Sequence, residues 1–305
     1  MTKEILYQNK KIFYRSIGSG DPVMFVHGFG EDGNIWDKQV EYLKGKYHLL
    51  VPDLPGSGQS EMIDEMSMEG IAEVLHSIIH EELPPQTPPK EGLAAAQSQQ
   101  EENSLQKTNS KSSASSKVPP SGGFRGAGCT VIGHSMGGYI TLALVENYWN
   151  HVSAFGLFHS SAFPDTEEKR QTRKKGIEFI KQHGAFEFLK TSTPNLFSPN
   201  SKLQIPNSID VFIESLKDLT PQALIAYYEA MMKRPDRQDV LKTTKNPVLF
   251  IAGEHDVAVP LNDMLKQCHL PEKSYFHVLK NSGHMGMIEE TENANLILEE
   301  FLAGK

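Results

Sequence analysis

The chain has 305 residues, 38% of them hydrophobic and 22% charged, with a formal net charge of -8 at pH 7. That length supports a core that needs no covalent staples, and the acidic balance argues against nucleic acid or an anionic membrane as the main partner. The two cysteines, Cys129 and Cys268, are too few for a disulfide framework or a Cys-rich zinc site and read as packing residues.

The opening stretch MTKEILYQNKK has no apolar segment of signal-peptide length, and no run reaches the roughly 18 apolar residues of a spanning helix, so a cytoplasmic location is expected. Strand-like runs follow at 11–18 (KIFYRSIG), 22–28 (PVMFVHG) and 47–53 (YHLLVPD). A helix is expected over 66–83, where apolar residues recur at helical spacing. Residues 84–128 are rich in Pro, Ser, Gln and Gly and nearly free of large apolar side chains, the composition of a disordered insert. Strand 129–133 (CTVIG), helix 136–150 and strand 151–160 come next, then a helix-rich stretch over 165–243. A strand at 247–253 (PVLFIAG), a helix near 261–269, a strand at 274–280 and a helix at 287–303 complete the pattern. Strands alternating with helices predict an α/β fold with a mostly parallel, doubly wound sheet covered on both faces. No internal repeat is visible.

Ser135 stands where the strand TVIG turns into a helix, the carboxyl end of the sheet, where open α/β folds bind ligands. Gly133 and Gly137 flank it in the spacing G-x-S-x-G, which allows a turn too sharp for side chains and presents the hydroxyl outward. A serine hydroxyl is a weak nucleophile at neutral pH without a base and an orienting acid. Asp256, after the strand at 247–253, and His284, after the strand at 274–280, supply these in the chain order Ser, Asp, His. The strand at 22–28 ends in His27-Gly28-Phe29-Gly30, so the Phe29 N–H can join that of Met136 as the pair of donors for a developing oxyanion.

The segments HGFG (27–30), DLPGSGQS (53–60), GHSMGG (133–138), GEHD (253–256) and SGH (282–284) together resemble the α/β hydrolase superfamily over nearly the whole chain outside the insert. The resemblance implies the α/β hydrolase fold and acyl transfer to water, with Ser135 as nucleophile, His284 as base and Asp256 as acid. It gives DLPGSGQS a structural role at the pocket rim. The stretch between the strands at 151–160 and 247–253 is too long for a bare connection. In the resembling family this place holds a helical cap, so the domain reading is core 1–160, cap 161–245 and core 246–305. The cap carries Phe179, Phe186, Phe188, Phe197, Phe212, Tyr227, Tyr228, Met231 and Met232, a subset of which would wall the site for an apolar ester or acyl substrate.

Asp165, after the strand at 151–160, is the alternative acid, and Glu254 reads as an exposed turn residue. His27 and His134 lack companions at metal spacing and read as structural, His159, His255 and His269 carry no role, and neither metal nor cofactor is implied. The run EEKRQTRKK (167–175) reads as a solvated helix face. Within the resembling superfamily, carbon–carbon bond hydrolases and a menaquinone-pathway lyase tend to carry Asn or Tyr where this chain has His134. That departure favours an esterase, and a ligand sensor that keeps the triad is the rival from another class.

Overall fold

Strands with apolar side chains on both faces must be covered on both sides, and this requirement organises the molecule. The computed structural model describes residues 1–83 and 128–304. The insert expected at 84–128 thus lies, Gly128 apart, outside the described residues. Eight strands form one sheet: β1 (Thr2–Tyr7), β2 (Lys10–Gly18), β3 (Pro22–Val26), β4 (His48–Pro52), β5 (Cys129–His134), β6 (Val152–Phe158), β7 (Val248–Gly253) and β8 (Ser274–Leu279). Their order is β1-β2-β4-β3-β5-β6-β7-β8. β2 is antiparallel to both its neighbours, and from β4 to β8 every pairing is parallel. Every residue of β5 (CTVIGH) and β7 (VLFIAG) is buried.

Alternate side chains leave each strand on opposite faces. On one face Met24, Val26, Val131, Phe250 and Ala252 pack with α2 (Met68–Glu82) and α3 (Met136–Tyr148). On the other Val23, Phe25, Ile132, Leu249 and Ile251 meet Trp36, α1 (Asp37–Leu43), α11 (Gly286–Glu289) and α12 (Thr291–Gly304). α10 (Leu261–Leu265) connects β7 to β8.

Between β6 and β7 lie α4 (Glu167–His183), α5 (Ala185–Ser192), α6 (Pro199–Gln204), α7 (Pro206–Ser215), α8 (Pro221–Lys233) and α9 (Gln238–Thr243). Thr166 and Thr220 accept from the amides of Lys169 and Ala223 as N-caps of α4 and α8. Proline, whose missing N–H costs nothing in a first turn, opens α6, α7 and α8. No helix among the described residues is long and apolar enough to cross a membrane.

Three departures from the sequence reading have physical reasons. β1 escapes notice because only Ile5 and Tyr7 of TKEILY are even partly buried, and its turn uses Gln8 (φ 48°) and Asn9 (φ 64°) rather than the usual glycine. α1 is only seven residues long, too short for a periodic signal. The run in α4 is not wholly solvated: Arg173 turns inward and closes a two-pronged ion pair with buried Asp165, 2.6 Å from Nε and 3.2 Å from Nη2.

Candidate active site

The junction of β5 and α3 is sterically tight. Ser135 adopts φ 52°, ψ -116°, a strained conformation for a residue with a side chain. A Cβ on Gly133 would sit 2.5 Å from Thr141 Oγ1, and one on Gly137 would sit 2.6 Å from the His27 carbonyl oxygen, so only glycine fits beside the turn. The turn is held from the neighbouring strand: the Ser135 N–H donates to Phe158 O at 3.0 Å, and Ser160 Oγ donates to Ser135 O at 2.6 Å. The serine side chain is thereby presented at the carboxyl edge of the sheet, and the residue stays partly accessible.

The structure brings Ser135, His284 and Asp256 together there. His284 Nε2 lies 2.8 Å from Ser135 Oγ, and its Nδ1 lies 2.8 Å from Asp256 Oδ2. Asp256 Oδ1 accepts the amides of Ala258 and Val259, both at 2.8 Å, which locks the carboxylate plane. Burial alone would raise the pKa of this carboxyl. The facing charge of His284 and the hydrogen bonds from His159 and His284 outweigh it and hold the group well below the usual carboxylate range. Asp165 is not part of this cluster: its oxygens are taken by Arg173 and by Arg234, 2.7 Å away. Glu254 is exposed.

The loop after β3 lies against the serine. A Cβ on Gly28 would stand 3.1 Å from Ser135 Cβ, so this approach too depends on glycine. Neither the Phe29 nor the Met136 amide donates a hydrogen bond among the described residues. The Phe29 ring stacks on Tyr228 of α8 (centroids 4.2 Å apart, planes 9° apart) and meets Phe188 of α5 and Tyr227 of α8 edge-on at 6.4 and 6.5 Å. Burial pushes the Tyr228 phenol up to about 12. Phe197 and Phe212 meet each other edge-on, with centroids 6.3 Å apart.

Two histidines and a glutamate matter more than the sequence indicates. His159, to which the sequence assigns no role, points Nδ1 at Asp256 Oδ2, 3.1 Å away, while its Nε2 accepts the Gly286 N–H at 3.2 Å. Burial holds its imidazole below the ordinary value, in keeping with a neutral ring. His134 lies between Glu31 and the carbonyl of His284, and Glu31 also accepts the Gly28 amide. The one sequence signal for these residues is their position, each within a few residues of a motif glycine or a strand end. The possible ligand atoms of His159, Asp256 and His284 lie within 4.8 Å of one another. Those atoms are engaged in hydrogen bonds with one another, with Gly286 and with Ser135.

Comparison with known proteins identifies the family of the chain. Pimeloyl-[acyl-carrier protein] methyl ester esterase of Legionella pneumophila is 45% identical over 47 residues, 15% of this chain and 20% of that protein, so the chain matches only about a fifth of that relative's length. 3-Oxoadipate enol-lactonase 1 of Acinetobacter baylyi is 22% identical over 281 residues, 92% of this chain and 88% of the other. A solved structure of a thermophilic esterase from Thermogutta terrifontis superposes with a TM-score of 0.79 at 23% identity, covering 99% of this chain and 98% of that one, a likeness of fold. The profile of the alpha/beta hydrolase family matches residues 23–294, from β3 into α12, and the chain belongs to that family.

Proposed function

We propose that the protein is a serine hydrolase that cleaves small carboxylic esters through an acyl-enzyme. The observation that carries this reading is the continuous chain from Ser135 Oγ through both nitrogens of His284 to Asp256 Oδ2, with 2.8 Å at each step. His284 Nε2 takes the hydroxyl proton as Ser135 Oγ attacks the ester carbonyl, and the resulting oxyanion lies between the amides of Phe29 and Met136. The imidazolium then gives its proton to the departing alkoxide, leaving an acylated serine. Water, activated by the same imidazole, attacks the acyl carbon and returns the serine hydroxyl and a carboxylic acid. Asp256 keeps Nδ1–H oriented and offsets the transient positive charge.

In this reading residues 161–245 are the cap, and the Phe29–Tyr228 stack with Phe188 and Tyr227 forms an apolar wall that favours an acyl chain or aromatic group. The relative matched over most of its length is named for a lactone, a cyclic ester that the same chemistry opens. The test is Ser135→Ala against a panel of short p-nitrophenyl esters, with fluorophosphonate labelling of the wild-type chain. Loss of hydrolysis and of labelling at residue 135 is expected, and unchanged rates in the variant would remove serine catalysis.

A further inference from the structure

We propose that Glu31 and His134 form a buried ion pair that positions both halves of the reaction centre, tying the loop that offers the Phe29 amide to the loop that carries His284. The proposal rests on the serine-hydrolase reading and adds to it two positioning residues outside the triad.

Hydrogen-bond partners fix the charge of each histidine around the serine. A ring nitrogen facing an N–H must accept, and one facing a carbonyl or carboxylate must donate. His27 accepts the Leu54 amide at Nε2 and faces Gly28 O with Nδ1, so it carries one proton. His159, between the Gly286 amide and Asp256, also carries one. His134 differs: Nε2 faces His284 O at 2.9 Å and must donate, while Nδ1 faces Glu31 Oε2 at 3.0 Å, so the proton between them rests either on the ring or on the carboxyl. Glu31 Oε2 also accepts the Gly28 N–H, which favours the carboxylate, so the proton is assigned to Nδ1: the ring is then an imidazolium facing a carboxylate, with side chains 0% and 4% exposed. Burial opposes both charges, yet their mutual attraction prevails: it holds His134 above and Glu31 below their ordinary values, helped at Glu31 by the Gly28 amide and at His134 by the His284 carbonyl.

The ends of this pair lie where the chemistry needs precision. Glu31 Oε2 accepts the Gly28 N–H at 2.7 Å, which sets the peptide leading into Phe29. His134 immediately precedes the serine and holds the carbonyl of the base, whose own N–H donates to Leu196 O at 2.6 Å. A buried ion pair is a poor stabiliser compared with apolar packing, so its value here is geometric. The titratable or charged groups facing the pair are His27 after β3, on the Glu31 side, and His159 after β6, Asp256 after β7 and His284 after β8, on the His134 side. Glu31 is the hydrogen-bonded counter-charge of His134.

The experiment uses the full chain with p-nitrophenyl butyrate and the variants Glu31→Gln, His134→Asn and the double replacement. Glu31→Gln removes the counter-charge at constant shape. A loss of about 10²-fold in kcat with KM within a few-fold is expected, the size that small misplacements of reacting groups produce. Without the carboxylate the imidazolium gives up its proton at lower pH, so the alkaline limb of the kcat profile moves toward acid, a shift that lost packing alone would not cause. In His134→Asn the side-chain amide can still donate to the His284 carbonyl without a charge, so the double variant should be at least roughly tenfold faster than the product of the single losses predicts. Additive losses with an unmoved pH profile overturn the proposal. Should Glu31→Gln not fold, ¹⁵N-histidine spectra of the wild type decide: both His134 nitrogens protonated at pH 7.5 is the expected result, and a neutral tautomer overturns the pair. Fluorophosphonate labelling separates the two readings. A wild-type chain left unlabelled at Ser135 sinks the hydrolase and the proposal with it, whereas a labelled wild type with an unaffected Glu31→Gln variant sinks only the pair.

Discussion

Two aspartates follow sheet strands closely enough in sequence to serve as the acid, and replacing each by asparagine separates their roles. Asp165 is 2% exposed and neutralises Arg234, whose guanidinium also lies 3.8 Å over the Tyr139 ring, together with Arg173. Asp165→Asn leaves two guanidinium groups, 3% and 18% exposed, with no counter-charge. Breaking such a buried pair costs about 3–5 kcal/mol, which for a chain of this size lowers Tm by about 5–9 °C. Turnover at 25 °C should change by no more than about threefold, because the reacting atoms keep their geometry. Asp256→Asn has the opposite signature. The carboxylate accepts four hydrogen bonds, from Ala258, Val259, His159 and His284. An amide has one acceptor oxygen and presents N–H groups to donors, so His284 is driven into the wrong tautomer and kcat falls about 10⁴-fold. Thermal unfolding followed by circular dichroism and steady-state hydrolysis of a p-nitrophenyl ester measure both. A large kcat loss in Asp165→Asn with a nearly active Asp256→Asn would reverse the assignment of the acid.

Three further outcomes are expected. Asp165, Asp256 and Glu31 all have carboxyls held below their ordinary range in the folded chain; in each, burial pushes up and facing Arg or His charges outweigh it. The unfolded chain therefore binds more protons as pH falls through about 4, so stability is full above about pH 5 and drops steadily below it; urea midpoints independent of pH between 3 and 6 would contradict the ion pairs. Tyr228→Ala removes the ring stacked on Phe29 and should raise KM for aromatic and long-chain esters by about tenfold while sparing acetate, and an equal effect on both would remove the apolar wall. Deleting residues 88–120 should leave ester turnover within a few-fold, because the connection re-enters the fold at Gly128, roughly 20 Å of strand from Ser135; a collapse of activity would assign the segment a structural role.

Most of the frame is written locally. Alternating strand and helix signals specify a doubly wound sheet, and the G-x-S-x-G spacing specifies a turn that only glycine on both sides permits. The strand ends place Ser135, Asp256 and His284 on one edge because parallel strands all point their carboxyl ends the same way. Signals are weak where burial is slight, as in the exposed hairpin of β1, or where an element is only two turns long, as in α1. What no local pattern encodes is which polar side chains meet across the sheet edge. Glu31 and His134 are 103 residues apart, His159 and Asp256 are 97 apart, and Arg173 sits in a run that looks uniformly solvated. Their partnerships arise because loops from different strands converge on one buried volume. There an unpaired charge is costly to keep, so tertiary packing, rather than sequence periodicity, decides which group each one finds.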